Sequence, residues 1–130
     1  MNRNISVANI MTKRLITFVP DTQVLSAIDQ LISKKISGAP VVDEDGNLVG
    51  MLSEIDCMKT FLQSTYHNEM GGLVKDYMSH KVSTISSNMG LMDVAEYFLE
   101  SRFRRLPVVD NGKLVGQISR RDVLRAIQKF

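Results

Sequence analysis

The chain is predicted to fold as a mixed α/β (α+β) protein. It should form two β-α-β-β-α units related by pseudo-two-fold symmetry, with their sheets packed face to face. Three features predict this. The segment "GAPVVDEDGNLVGMLSEID" (38–56) returns as "RLPVVDNGKLVGQISRRD" (105–122), with Val41 aligned to Val108 at an offset of 67 residues. A repeat that long means two copies of one supersecondary unit. In each copy, two β-branched runs flank a turn, and apolar stripes at helical spacing lie before and after them.

The elements follow in chain order. Leu15–Val19 reads as a short strand ended by Pro20, and Asp21 or Thr22 can cap the helix after it. Val24, Ile28, Leu31 and Ile32 form one helical stripe. Gly38 is the expected left-handed terminator. Pro40–Asp43 and Leu48–Leu52 are strands joined by "DEDGN", and a helix starts at Ser53 with Ile55, Met58 and Leu62 on one face. The second copy repeats the scheme. Val82–Ile85 is the short strand, and Leu91, Val94, Ala95, Phe98 and Leu99 form the stripe. Leu106–Asp110 and Lys113–Ser119 are strands joined by Asn111–Gly112, the strongest two-residue hairpin signal. Val123, Leu124 and Ile127 are expected to face inward from the last helix. The polar connector Gln63–Gly72 is a linker, so the expected division is 1–65, a linker over 66–72, and 73–130. Neither half of about 60 residues buries enough surface to fold well alone.

Composition narrows the function classes. The chain is 44% hydrophobic and 23% charged, ordinary for a globular protein. It has no apolar run of bilayer length, no secretory-type N-terminus, and a single cysteine, Cys57. The expectation is a cytoplasmic protein without a membrane partner. A net charge of +2 argues against general nucleic-acid binding. The charge is unevenly placed: six basic and eight acidic residues in 1–72 against ten and six in 73–130. Arg104–Arg105 and Arg120–Arg121 stand at matching ends of the second sheet segment, a candidate anion site. His67 and His80 have no metal-ligand spacing to Cys57 or to each other. There is no Walker-type glycine loop and no defensible triad, so no enzyme, catalytic residue, metal or catalytic cofactor is expected.

Paired units carrying "P-V-V-D…G-x-x-S-x-x-D" resemble the cystathionine β-synthase (CBS) domain pair, or Bateman module, here stand-alone. The lead-ins "VANIMTKRLITFVPDTQVLSAIDQL" and "VKDYMSHKVSTISSNMGLMDVAEYF" extend the resemblance over nearly the whole chain. The resemblance implies a regulatory module that binds adenosine-containing metabolites in clefts between the two units. AMP or ATP is the foremost ligand, with ADP, NAD and S-adenosylmethionine also in the class. It also implies a homodimer joined through helices, and a target protein of unknown identity.

The same resemblance implies site residues. Asp56 and Asp122 would accept the ribose hydroxyls, a role that suits an acceptor-only carboxylate. Ser53 and Ser119 stand where the final helices begin, at N-termini suited to phosphate. Ser37, Gly38, Ala39 and Pro40 match the small adenine-facing turn. Arg104, Arg105, Leu106 and Pro107 replace it in the second copy, with two guanidiniums able to grip phosphate. Arg121, just before Asp122, is the expected phosphate residue, and Ile55 stands in its place in the first copy. The Asp122 cleft is therefore expected to bind nucleotide phosphate better than the Asp56 cleft. Thr17 and Thr84 are weaker candidates. Ser-x-x-Asp is also the sequence of a capping box, which needs no ligand. A ligand-free dimerisation or interaction module is the alternative reading.

Overall fold

The structure is a computed structural model describing residues 4–66 and 71–129. In chain order the helices and strands are α1 (Val7–Ile10), α2 (Val24–Ser33), β1 (Gly38–Val42), β2 (Leu48–Ser53), α3 (Glu54–Tyr66), α4 (Leu91–Glu100), β3 (Arg105–Asp110), β4 (Lys113–Ser119) and α5 (Arg120–Gln128). A 3-10 turn, Val74–Asp76, precedes α4. The fold is α+β, with two small two-stranded antiparallel sheets, β1–β2 and β3–β4.

Two compact units emerge, and they do not follow the repeat. One is Ile16–Val82; the other joins Met1–Leu15 to Ser83–Phe130. In the packing, the lead-in of each copy closes on the hairpin of the other. In the second unit α1 leads to Thr12, whose N–H donates to the Gln117 carbonyl (2.8 Å) while the Gln117 N–H donates back (2.9 Å). In the first unit Ser79 makes the same reciprocal pair with Met51, at 2.8 and 2.9 Å. The free edge of each hairpin needs partners for its backbone groups. The lead-in of the opposite copy provides them.

The exchange depends on two glycines. A Cβ built on Gly116 lies 2.6 Å from Met11 Sδ, and one on Gly50 lies 2.7 Å from Met78 Sδ. Each methionine therefore seats where its hairpin has no side chain.

The two expected first strands shrink to single bridges. Phe18 pairs parallel with Val41, and Ile85 parallel with Val108. Pro40 and Pro107 accept from Phe18 and Ile85 but have no N–H to give back, so the ladder does not extend. Helix α2 stops before Gly38. Lys35 takes the left-handed conformation (φ 55°), and the Ile36 N–H closes onto the Leu31 carbonyl, which frees Gly38 to begin β1. The second hairpin turns at Asn111 (φ 51°) and Gly112 (φ 82°), as Asn-Gly predicts. Both hairpins shift register at the same repeat position, Val41/Val42 and Val108/Val109.

Each unit has its own core. Phe18, Val24, Leu31, Val41, Leu52 and Val74 pack in one, and Val7, Val94, Phe98, Leu106, Val108 and Ile118 in the other. Several stripe residues expected inside are outside. Ile32 is 72% and Leu99 86% exposed, and Ile55, Met58, Leu62, Leu124 and Ile127 are also exposed. In α3 the buried residue near the start is Cys57, and in α5 they are Val123 and Ala126. A short helix lying on a two-stranded sheet buries a narrow strip, and the rest of a broad apolar stripe stays in water.

Replacing Gly116 by alanine is expected to cost about 1–3 kcal/mol through overpacking against Met11 and the Thr12 carbonyl. Urea unfolding reads this, and an unchanged midpoint would refute the close approach. A second expectation concerns acid. The Ser87 N–H and hydroxyl both donate to Asp110, holding its carboxyl below the usual carboxylate range. A lowered folded pKa stabilises above the unfolded value of about 3.9 and is lost as pH falls through the folded one. Thermal melts of Asp110→Asn should therefore differ from wild type at neutral pH, and the difference should shrink as pH falls below the usual carboxylate range.

Candidate functional site

Each hairpin runs straight into a helix, and the junction is a closed capping box. The Ser53 N–H and hydroxyl donate to Asp56 Oδ2 at 3.0 and 2.9 Å, and the Asp56 N–H donates to Ser53 Oγ at 3.1 Å. The Ser119 N–H donates to Asp122 Oδ2 at 2.9 Å, and the Asp122 N–H donates to Ser119 Oγ at 3.2 Å. Such caps contribute about 1 kcal/mol each. Both aspartates therefore hold helix ends. The question for ligand binding is what acceptor capacity remains.

The other carboxylate oxygens answer differently in the two units. Asp122 Oδ1 accepts from Arg125 Nη1 at 3.2 Å, an ion pair one turn along α5. Asp56 Oδ1 accepts from the Ser79 hydroxyl at 3.0 Å, brought in by the exchanged lead-in. An ionised carboxylate has about four acceptor positions. Asp122 uses two of them on the bonds just given, and Asp56 uses three.

Asp122 is 9% exposed and lines a groove of about 360 Å³. The groove has apolar walls from Ile5, Ile10 and Ala126, and polar groups from Asn9, Asp122, Arg125 and Lys129. Asn9 is fixed by accepting from the Ser6 N–H and hydroxyl. Arg125 on α5 and Lys129 at its C-cap are four residues apart, with the Arg125 side chain 69% exposed. An acceptor, apolar walls and two cations in one groove suit a small ligand with hydroxyls, a flat apolar part and an anionic group.

The predicted residues distribute as follows. Gly38 pairs with Ser53 across β1–β2, and the Ser37 carbonyl accepts from the Glu54 N–H at 2.9 Å. Arg105 pairs with Ser119, and the Arg104 carbonyl accepts from the Arg120 N–H at 2.9 Å. The structure thus brings the turn segments to the Ser-x-x-Asp junctions in both units. Ala39, Pro40, Leu106 and Pro107 are buried, Ala39 and Leu106 within the two cores, so their side chains are committed to packing. Arg104, Arg105 and Arg121 are exposed, and none of them lines the Asp122 groove. Thr17 and Thr84 are exposed on the bridging segments. Sequence reasoning missed Ile5, Asn9, Ile10, Arg125 and Lys129. The spacing of Arg125 from Asp122 on one helix, with Lys129 at its end, was a readable signal. The arrival of residues 5–10 was not, because it depends on the lead-in exchange.

Three other features belong to the unit Ile16–Val82. Cys57, next to Asp56, is buried, and burial with the nearby Asp56 and Glu54 charges pushes its thiol pKa up. A hollow between α2 and α3 of about 460 Å³ is apolar, lined by Leu25, Ile28, Ile32, Cys57, Met58 and Phe61 among others. An acidic hollow holds Asp21, Asp43, Glu44 and Asp45, with Asp21 paired to Lys75 at 3.3 Å. Among the described residues no group of three or more His, Cys, Asp or Glu is placed to hold a metal ion, and no helix is long and apolar enough to cross a membrane. His67 lies outside the described residues.

Known proteins resemble this chain in sequence and fold. A model of the CBS domain matches residues 7–63 and again 74–129. The CBS domain-containing protein CBSX2, chloroplastic, of Arabidopsis thaliana is 34% identical over 153 residues, covering 96% of this chain and 64% of that protein. The uncharacterized protein MJ1225 of Methanocaldococcus jannaschii is 32% identical, covering 95% and 43%. The chain thus spans between two-fifths and two-thirds of the length of these relatives. Among solved structures, CBSX2 in complex with AMP superposes with a TM-score of 0.81 at 37% identity, covering 95% and 96%. The CBS domain pair of protein MJ0100, in complex with 5′-methylthioadenosine and S-adenosyl-L-methionine, gives 0.75 at 26%, covering 96% and 97%.

Proposed function

The chain belongs to the CBS domain family as a tandem pair, and from that premise we propose that it is a regulatory module, not an enzyme, that senses an adenine nucleotide. The observation that carries this is the Asp122 groove: a nearly buried carboxylate with acceptor capacity left, beside two cations and an apolar wall. Asp122 would receive the ribose hydroxyls, Ile5 and Ile10 the flat face of the base, and Arg125 and Lys129 the phosphate. The cations favour a phosphorylated ligand such as AMP or ATP over an uncharged nucleoside. Ser119 holds Asp122 in place, and the arginines at 104, 105 and 121 add to the positive field around the unit. The Asp56 junction, with Ser37, Gly38 and Ser53, is the proposed counterpart in the other unit. Ligand complexes of CBSX2 and the MJ0100 domain pair support the adenosine class. A cytoplasmic location is part of the same proposal, supported by the lone cysteine.

Calorimetry tests it. Asp122→Asn should weaken AMP binding by about ten- to a hundredfold, the value of hydrogen bonds to a charged acceptor. Arg125→Gln should weaken AMP but leave adenosine nearly unchanged. Equal AMP affinity in wild type and Asp122→Asn would sink the reading.

A second reading, self-association with or without ligand, is favoured by the exposed apolar helices. Leu25, Ile32, Met58 and Phe61 are open to water on α2 and α3, as are Met92, Leu99, Leu124 and Ile127 on α4 and α5. So much exposed apolar surface on a small chain fits an interface. We propose that a second copy of the chain covers it. Light scattering should then show a dimer that Ile32→Glu converts to monomer, whereas a monomeric wild type at micromolar concentration refutes it.

A further inference from the structure

Asp56 and Asp122 stand at equivalent positions but are connected differently. The Asp56 carboxylate already accepts three hydrogen bonds: two from Ser53 on Oδ2 and one from the Ser79 hydroxyl on Oδ1. Of about four acceptor positions on an ionised carboxylate, roughly one is left. A vicinal diol needs two. Among the described residues Asp122 accepts from the Ser119 N–H and Arg125, which leaves room for both hydroxyls.

The bonds on Oδ2 belong to the cap of α3, and giving them up would loosen the helix start. The bond on Oδ1 has no such duty. It comes from an exposed serine 23 residues away whose backbone is separately anchored by the two bonds to Met51. The hydroxyl can leave by a change of side-chain rotamer with the lead-in still in place. Its counterpart in the repeat, Thr12, has the same backbone pairing with Gln117, but among the described residues the bonds to the Asp122 carboxylate come from Ser119 and Arg125.

We infer that Ser79 is an internal competitor for sugar hydroxyls at Asp56, so that a ribose diol binds there only by displacing it. Ser79 is thus the residue that sets the affinity of this site and makes it weaker than the Asp122 site for equivalent ligands. The inference rests on the reading of Asp56 as a sugar acceptor, and it adds a residue and a direction to that reading. It also predicts selectivity. A ligand with one ring hydroxyl fits the remaining acceptor position and leaves Ser79 undisturbed.

The test uses the full chain carrying Asp122→Asn, so that Asp56 is the remaining acceptor, titrated by calorimetry with AMP and with 2′-deoxy-AMP. Adding Ser79→Ala should tighten AMP binding about five- to tenfold, the worth of one hydrogen bond, and should not change 2′-deoxy-AMP. Ser79→Thr keeps the hydroxyl and should keep the parent affinity. Unchanged, weaker or undetectable AMP binding in Ser79→Ala overturns the inference, as does equal tightening for both ligands. A further Asp56→Asn exchange separates the failures. If it leaves AMP binding intact, Asp56 is not a sugar acceptor, and that reading falls together with the inference. If it abolishes binding while Ser79→Ala gives no gain, only the inference falls.

Discussion

One constraint governs both halves of this protein: a carboxylate has few acceptor positions, and in each unit the same carboxylate must hold a helix end. Asp56 and Asp122 close the step from hairpin to helix, so the first helical turn is ordered by the group that the proposed site needs. A sidechain fixed in this way loses little entropy when a ligand arrives, which suits a small site with few contacts. It also leaves no slack. What a ligand can obtain from each aspartate is set by whatever else already donates to it.

Duplication makes that constraint visible, because the two copies solve it with different neighbours. Asp122 sits beside a guanidinium, and Asp56 beside a neutral hydroxyl. The uneven charge of the chain has the same origin. The unit holding β3, β4 and α5 carries the arginine-rich second copy, and one of those arginines is in the groove. Two sites of one ancestry can thus differ in ligand charge and in affinity without any change of backbone.

The exchanged lead-ins tie the architecture to the sites. Met11 over Gly116 and Met78 over Gly50 let each lead-in close on a hairpin edge. That closure delivers α1 with Ile5, Asn9 and Ile10 to the Asp122 groove, and Ser79 to Asp56. Packing of a thioether on a bare backbone is a modest interaction. Here it determines which residues a ligand would meet.

Much of this was legible in the residues. Hairpins, their Asn-Gly turn, the helices and the Ser-x-x-Asp junctions depend on local periodicity and turn chemistry, and they stand where the pattern puts them. The pairing of the segments at Ser37–Gly38 and Arg104–Arg105 with the serines also followed from the repeat. Three things did not. Ile32, Leu99 and Leu124 are apolar at core spacing yet exposed, because periodicity says that a face is apolar and not what covers it. Ala39 and Leu106 look like ligand contacts in a motif but are packed into the cores. Arg125, and not Arg121, bonds Asp122, because the helix turns the residue three after Asp122, not the one before it, toward the aspartate. By itself the sequence determined the local elements and the two candidate acids, since those depend on neighbours within a few residues. Only the tertiary structure decided which lead-in reached which hairpin, and hence what else bonds to each acid, since that depends on contacts between residues far apart in the chain.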